Sequence, residues 1–177
     1  MPVAEGRSEL YRSLIGSDWE LLDAGVRRLH GRNGSVQRGR FRIRRGAGWP
    51  ARALASLLRF PPEGDAVECS LVIDSLGSRE SWRRVFGKTP LVTDQYRVPG
   101  GILVERRGPV TLHFRLAIDQ GALVFRMVDA RFFGIRIPLR LRPRVSGREW
   151  GHDRTRVEIR AEDPMLGLLL AYEGTIE

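Results

Sequence analysis

The chain has almost no cysteine, almost no lysine and no long apolar run. Cys69 is the single cysteine among 177 residues, which excludes an internal disulfide and a cysteine-rich zinc cluster. A reducing compartment, the cytoplasm, is the expected location. The longest apolar stretches, 166–172 and 102–104, are far too short to span a bilayer, and 1–10 lacks the apolar core of a signal peptide. Histidine is scarce as well. His30, His113 and His152 have no carboxylates or cysteines at ligand spacing, so neither a metal nor any other cofactor is expected. There is no Walker loop, dinucleotide glycine pattern, zinc-protease helix or nucleophile elbow, and the glycines Gly31 and Gly34 lack the lysine and the preceding strand of a phosphate loop.

What the chain has in excess is arginine. Lys88 is the sole lysine among 30 basic residues, and the formal net charge is +9. A guanidinium holds two oxygens in its planar fork, and a basic surface attracts nucleic acid or anionic lipid at a distance. The arginines are nevertheless spread along the whole chain, which also fits a wholesale replacement of lysine by arginine. The length suits one domain over 1–177, able to bury about two-thirds of its unfolded surface without crosslinks.

Periodicity divides the chain into a helical segment, 1–31, packed on a β-rich body, 35–177. Ser8 is placed to cap a helix whose Leu10, Tyr11, Leu14 and Ile15 share a face, with Gly16 to end it. Asp18 is placed to cap a second, on which Trp19, Leu22, Val26 and Leu29 form one stripe. From Val36 the period falls to two, with Phe41 and Ile43 alternating against Arg38, Arg40, Arg42 and Arg44. Pro50 then suits the first turn of a third helix with an apolar face of Ala51, Leu54, Ala55, Leu57 and Leu58, stopped by Pro61 and Pro62.

After Gly64 the pattern is strands and tight turns, too closely spaced for helical crossovers, and therefore antiparallel. Val67, Cys69, Leu71 and Ile73 alternate with polar residues, as do Leu112, Phe114, Leu116 and Ile118. Trp82, Arg84 and Phe86 share one parity, which marks a strand whose faces are not simply apolar and polar. Ile135, Ile137, Leu139 and Leu141 alternate with Arg136, Arg140, Arg142 and Arg144, and Thr155, Val157 and Ile159 with Arg154, Arg156 and Arg160. The expected class is α+β: a mostly antiparallel curved sheet or barrel of eight to ten strands, with two N-terminal helices and one helix after the first strand.

Three functional readings follow. The first is a non-catalytic domain holding a small apolar or amphipathic ligand inside the curved sheet, lined by Phe114, Leu116, Phe125, Ile135, Ile137 and Leu139. The second is an interaction domain whose basic face, Arg38, Arg40, Arg42, Arg140, Arg142 and Arg156, docks on an acidic protein, an anionic membrane or nucleic acid. The third is an enzyme using Glu105 and His113, brought together if their strands form a hairpin through Gly108-Pro109. Trp49 and Trp150 are candidate rim residues.

Several short motifs resemble one bacterial family, domain of unknown function 4166. They are Tyr11-Arg12-Ser13-Leu14-Ile15-Gly16, Val26-Arg27-Arg28-Leu29-His30, Phe60-Pro61-Pro62, the run from Leu103 to Pro109, Gly134-Ile135-Arg136-Ile137-Pro138, and Tyr172-Glu173-Gly174. Members of that family stand alone or are joined to a dehydrogenase-like nucleotide-binding domain resembling saccharopine dehydrogenase. The resemblance implies a role beside an oxidoreductase partner and brings no catalytic residues with it.

Overall fold

A strand whose apolar residues recur every second position must bury one side, and a long meander of such strands lowers its energy by curling until its two edges meet. The structure, a computed structural model, describes residues 9–177. Its strands are β1 (Val36–Arg45), β2 (Gly64–Leu76), β3 (Arg79–Phe86), β4 (Thr89–Val98), β5 (Ile102–Arg107), β6 (Val110–Asp119), β7 (Ala122–Phe132), β8 (Ile135–Arg136), β9 (Arg144–Trp150), β10 (Thr155–Asp163) and β11 (Gly167–Ile176). Each barrel strand pairs antiparallel with the next, β7 pairs with β9 across the short β8, and β11 returns to β1. The result is a closed ten-stranded antiparallel barrel, with β8 hanging from the end of β7.

The inward faces carry the core: Phe41 and Ile43 from β1, Cys69, Leu71 and Ile73 from β2, Trp82 and Phe86 from β3, Leu103, Phe114 and Phe125 from β5 to β7, and Tyr172 from β11. Where the barrel closes, Phe41 stands opposite Gly174. A Cβ on Gly174 would lie 2.1 Å from the Arg40 carbonyl oxygen and 2.6 Å from the Phe41 ring. The ring therefore lies over bare backbone, and it meets Phe86 and Tyr172 edge-on at centroid distances of 5.5 and 5.8 Å. Glycine at this point of the wall is a packing requirement.

Three helices sit at the two ends. The first, α1 (Leu10–Ile15), leads through a 3-10 turn, Gly16–Leu21, into α2 (Ala24–Gly31), and α3 (Trp49–Leu57) joins β1 to β2. The expected cap at Ser8 lies outside the described residues. The second helix starts at Ala24 rather than after Asp18. Gly16 adopts φ +67°, Leu22 is extended, and Asp23 is committed elsewhere: its carboxylate accepts from the Gly151 amide at 2.7 Å while its own amide donates to the Gly121 carbonyl. The expected stripe is still interior, since Trp19, Leu22, Val26 and Leu29 are all buried.

The expected strand from Ile135 to Leu141 does not form beyond β8. Pro138 has no amide hydrogen to donate, the Ile137 amide turns back to the Ala130 carbonyl, and the Leu141 amide closes a turn on Pro138. Residues 133–143 become an excursion outside the wall, with Ile135 and Leu139 exposed.

Gly174→Ala forces Phe41 and the β1 backbone apart at the closure, at a cost of about 1–3 kcal/mol. A melting temperature lowered by several degrees, in calorimetry against the parent chain, is the expected result. An unchanged melting temperature would mean that the wall tolerates a side chain there.

Candidate ligand-binding chamber

The two ends of the barrel differ. At one end, the ends of β4, β6 and β9 meet α1, α2 and the turn between them. The Gly25 amide donates to the Gly151 carbonyl at 2.9 Å, Arg28 reaches the carbonyls of His152 and Asp153, and Arg97 reaches the Ser13 carbonyl. Tyr11 and His30 enter the barrel from these helices and plug it. Their rings stack at 3.7 Å, and His30 also faces Trp82 at 5.3 Å. Three polar tips among them have a partner on the wall, while His30 Nδ1 has none among the described residues. Tyr11 donates to Gln95 Oε1 at 2.7 Å, His30 Nε2 lies 2.5 Å from Glu149 Oε2, and Trp82 Nε1 donates to Glu80 at 2.7 Å. Burial, together with the carboxylates Glu149, Glu80 and Glu105, holds the Tyr11 phenol well above its ordinary range, so it remains a donor.

Toward the other end the barrel is hollow. A cavity of about 370 Å³ is lined by Phe41, Phe86, Leu91, Leu112, Phe114, Phe125, Ile159 and Leu170, and is closed over by Leu57, Leu58 and Phe60 from the end of α3. Pro109 and Val110 of the β5–β6 hairpin and Pro143 before β9 complete the mouth. Two arginines hold the α3 segment down through its main chain. Arg45 donates to the Phe60 and Pro61 carbonyls, and Arg107 donates to the Arg59 carbonyl while lying 5.5 Å from the Phe60 ring centre.

Polar groups reach this apolar chamber at mid-depth. The Arg84 side chain is 13 % exposed, sits over Trp82 at 4.9 Å, and meets Glu105 at 3.6 Å, beyond hydrogen-bond range. Thr93 is buried, its Oγ1 has no partner among the described residues, and it lines the same space. Cys69 and Tyr172 line it as well. Burial pushes the Cys69 thiol up to about 11 and the Tyr172 phenol up to about 12, so both are protonated at neutral pH and the thiol is a poor nucleophile.

Of the expected ligand-lining residues, Phe114 and Phe125 do line the chamber. Leu116 packs against the core without reaching the cavity, and Ile135, Ile137 and Leu139 are on the excursion, outside the wall. The hairpin through Gly108-Pro109 forms, but its register sets Glu105 opposite Leu112 and His113 opposite Val104. Glu105 consequently faces the interior and His113 the exterior, where it pairs across strands with Asp129. The acid–base pairing expected of these two residues is not made. Burial, with Arg131 nearby, lowers the His113 imidazole below its usual range.

The expected basic face is divided. Arg38, Arg40 and Arg42 on β1 and Arg156 on β10 do flank one strand, β11, with Arg40, Thr175 and Arg156 in a single cross-strand row. Carboxylates interrupt it: Arg40 pairs with Glu68, Arg42 with Asp65 and Glu173, Arg44 with Asp65 at 2.6 Å, and Arg154 with Glu177. Hydrogen bonding and charge from Arg44 hold Asp65 below the ordinary carboxylate range. Arg140 and Arg142 lie elsewhere, on the excursion.

That excursion belongs to the mouth. The loops at the open end, 46–63, 87–88, 108–109, 133–143 and 164–166, carry Arg52, Arg59, Lys88, Arg136, Arg140 and Arg142 against one acid, Glu63. The same loops and strand ends present Trp49, Leu57, Phe132, Phe133, Ile135, Leu139, Leu141 and Met165 to solvent, with Trp49 81 % and Leu139 78 % exposed. Trp49 is thus a rim residue, whereas Trp150 is half-buried on β9 at the plugged end.

A ten-stranded up-and-down barrel, plugged by helices at one end and hollow at the other, defines this as an antiparallel barrel protein with an internal apolar chamber. The chain belongs to the family described as domain of unknown function DUF4166, whose model matches residues 22–176. Among solved structures it is similar to a protein of unknown function from the DUF3598 family of Nostoc punctiforme, with 17% identity and a TM-score of 0.50. The match covers 82% of this chain and 46% of that one, so the chain spans about half the length of that relative, and the likeness is one of fold. No curated protein matches. No helix among the described residues is long and apolar enough to cross a membrane.

Asp129 holds the excursion to the wall through Arg136 at 2.8 Å and Arg142 at 3.2 Å, and also meets Arg131 on its own strand at 3.5 Å. Burial alone would raise its carboxyl, but the hydrogen bond and charge of Arg136 and the charge of Arg142 outweigh it and hold the group below its ordinary value. A depressed folded value means that the anchoring is intact above about pH 4, the unfolded value, and is lost as pH falls through the folded one. Asp129→Asn is expected to release the segment already at pH 7, with faster tryptic cleavage at Arg136 and Arg140 and little change in melting temperature. Equal cleavage of parent and variant would place the anchor elsewhere.

Proposed function

We propose that this barrel is a non-catalytic binding domain for a small apolar or amphipathic molecule held in its chamber. The observation that supports this reading is the cavity itself: about 370 Å³ of space walled by aromatic and aliphatic side chains, within the size range of small-molecule sites. An empty space of that size forfeits dispersion contacts along its whole lining, and a ligand restores them. The separation of Glu105 from His113 and the protonated state of Cys69 leave binding better supported than catalysis. Protein purified from its own host and examined by native mass spectrometry is expected to carry a bound small molecule, released on denaturation. Consistently empty protein, together with no stabilisation by any member of a lipid and metabolite panel, would overturn the reading.

A second reading concerns how the chamber is filled, and it is favoured by the composition of the mouth. Exposed aromatic and aliphatic tips among basic loops suit an anionic membrane surface: the apolar tips enter the interface, and the arginines meet lipid phosphates. Cosedimentation with vesicles containing phosphatidylserine is the test. Binding is expected to fall as salt rises from 50 to 500 mM (about a threefold fall in Debye length) and to drop at least several-fold in a Phe133→Ser, Leu139→Ser variant. Binding of neither protein at low salt would leave the tips as solvated surface.

A further inference from the structure

The chamber contains an ion pair, Arg84 and Glu105, whose bonding is incomplete on both sides. Arg84 offers five N–H donors, yet it makes no hydrogen bond among the described residues. Its contacts are the face of Trp82 and the Glu105 carboxylate at 3.6 Å. A guanidinium taken from water without hydrogen bonds is costly, and it gains most from an oxyanion that fills its fork. Three further donors line the same space: the Thr93 and Tyr172 hydroxyls, neither of which bonds a described residue, and Arg107, which also donates to the Arg59 carbonyl.

The charge count gives the ligand its valence. Arg84 and Arg107 bracket one carboxylate, Glu105, and burial together with the nearby Arg84 charge lowers the Arg107 guanidinium below its ordinary value. With Arg59 and Glu149, which also line it, the chamber holds three basic and two acidic side chains, a formal excess of one positive charge that a monoanion neutralises and a dianion overfills. Position follows from the shape of the bore. Deeper in the barrel the rings of Tyr11, His30 and Trp82 fill the plugged end, so a ligand stops at mid-depth. Above Arg84, toward the mouth, the lining is Phe86, Leu91, Leu112 and Phe60.

We propose that the chamber takes a carboxylate-headed amphiphile, its head group bound by Arg84 with Tyr172 and Thr93 and its hydrocarbon tail pointing to the mouth under α3. This rests on the chamber reading and names the ligand class for it. Glu105 competes with the ligand for Arg84, so the two residues act with opposite sign on affinity.

The test is displacement of a neutral fluorophore, N-phenyl-1-naphthylamine, from the full chain by dodecanoate or by dodecan-1-ol, which share a tail and differ in the head. Dodecanoate is expected to displace it at about tenfold lower concentration or better, the worth of a charge-assisted pair. Arg84→Gln abolishes that preference while leaving dodecan-1-ol unchanged, and Glu105→Gln strengthens dodecanoate several-fold. Should Arg84→Gln fail to fold with Glu105 left unpaired, the double variant Arg84→Gln, Glu105→Gln keeps the interior neutral and must show the same loss of preference. Equal potency of acid and alcohol on the parent, or a preference that survives in the variants, overturns the assignment of the head group while the chamber stands. Failure of the fluorophore and both competitors to enter removes the chamber reading and this proposal together.

Discussion

Closure governs this molecule. Ten antiparallel strands leave no free edge only if β11 pairs with β1 and β7 pairs with both β6 and β9, and all of these pairings are made. A barrel's diameter grows with its strand number, and eight strands already give an interior that side chains just fill. Ten give more room than the wall's own residues occupy. The surplus is dealt with differently at the two ends: Tyr11 and His30, carried in on helices, plug one, and the other is left hollow under α3. Chamber, plug and cover are all consequences of one count of strands.

A wide interior also has to manage polar groups away from water. At the plugged end the solution is mostly pairing, through Tyr11 with Gln95, His30 Nε2 with Glu149 and Trp82 with Glu80, with His30 Nδ1 left without a partner among the described residues. At mid-depth the solution is incomplete, because Arg84 and Glu105 approach without hydrogen bonding. Buried groups that are satisfied fix a structure, and groups left short of partners mark where something else is accommodated. The boundary between the two regimes lies between Trp82 and Arg84, two residues apart on β3.

Much of the architecture was legible because period two is a local signal. The alternations in β1, β2, β6 and β10 are correct in phase, the α3 segment starts at Trp49 with Pro50 in its first turn, and the shared parity of Trp82, Arg84 and Phe86 was a true sign of a polar group facing inward. Ile135 to Leu141 obeyed the same period and misled, because alternation says nothing about whether a neighbouring strand has room to pair, and Pro138 cannot donate. The start of α2 was lost to a long-range bond, Asp23 to Gly151. The partnership of Glu105 depended on register: one step of the hairpin decides whether a side chain meets its neighbour or points through the wall. His30 and Glu149 are 119 positions apart, and no spacing rule joins them. Arg84 was visible as an oddity of pattern, and only its unfilled donors give the oddity a chemical meaning.

The closing seam has one more consequence, which concerns time rather than shape. β1 is the first strand made and β11 the last, so during synthesis one edge of β1 stays bare until the chain has reached Ile176. A bare strand edge is a template for pairing with another chain, and charged side chains along it are a common defence. Arg38, Arg40, Arg42 and Arg44 occupy alternate positions along that edge. Mutual repulsion between two nascent copies is then built into the strand that waits longest; Asp65 and Glu68 on β2 temper it early at Arg40, Arg42 and Arg44, and Glu173 completes the pairing of Arg42 when β11 ends the wait.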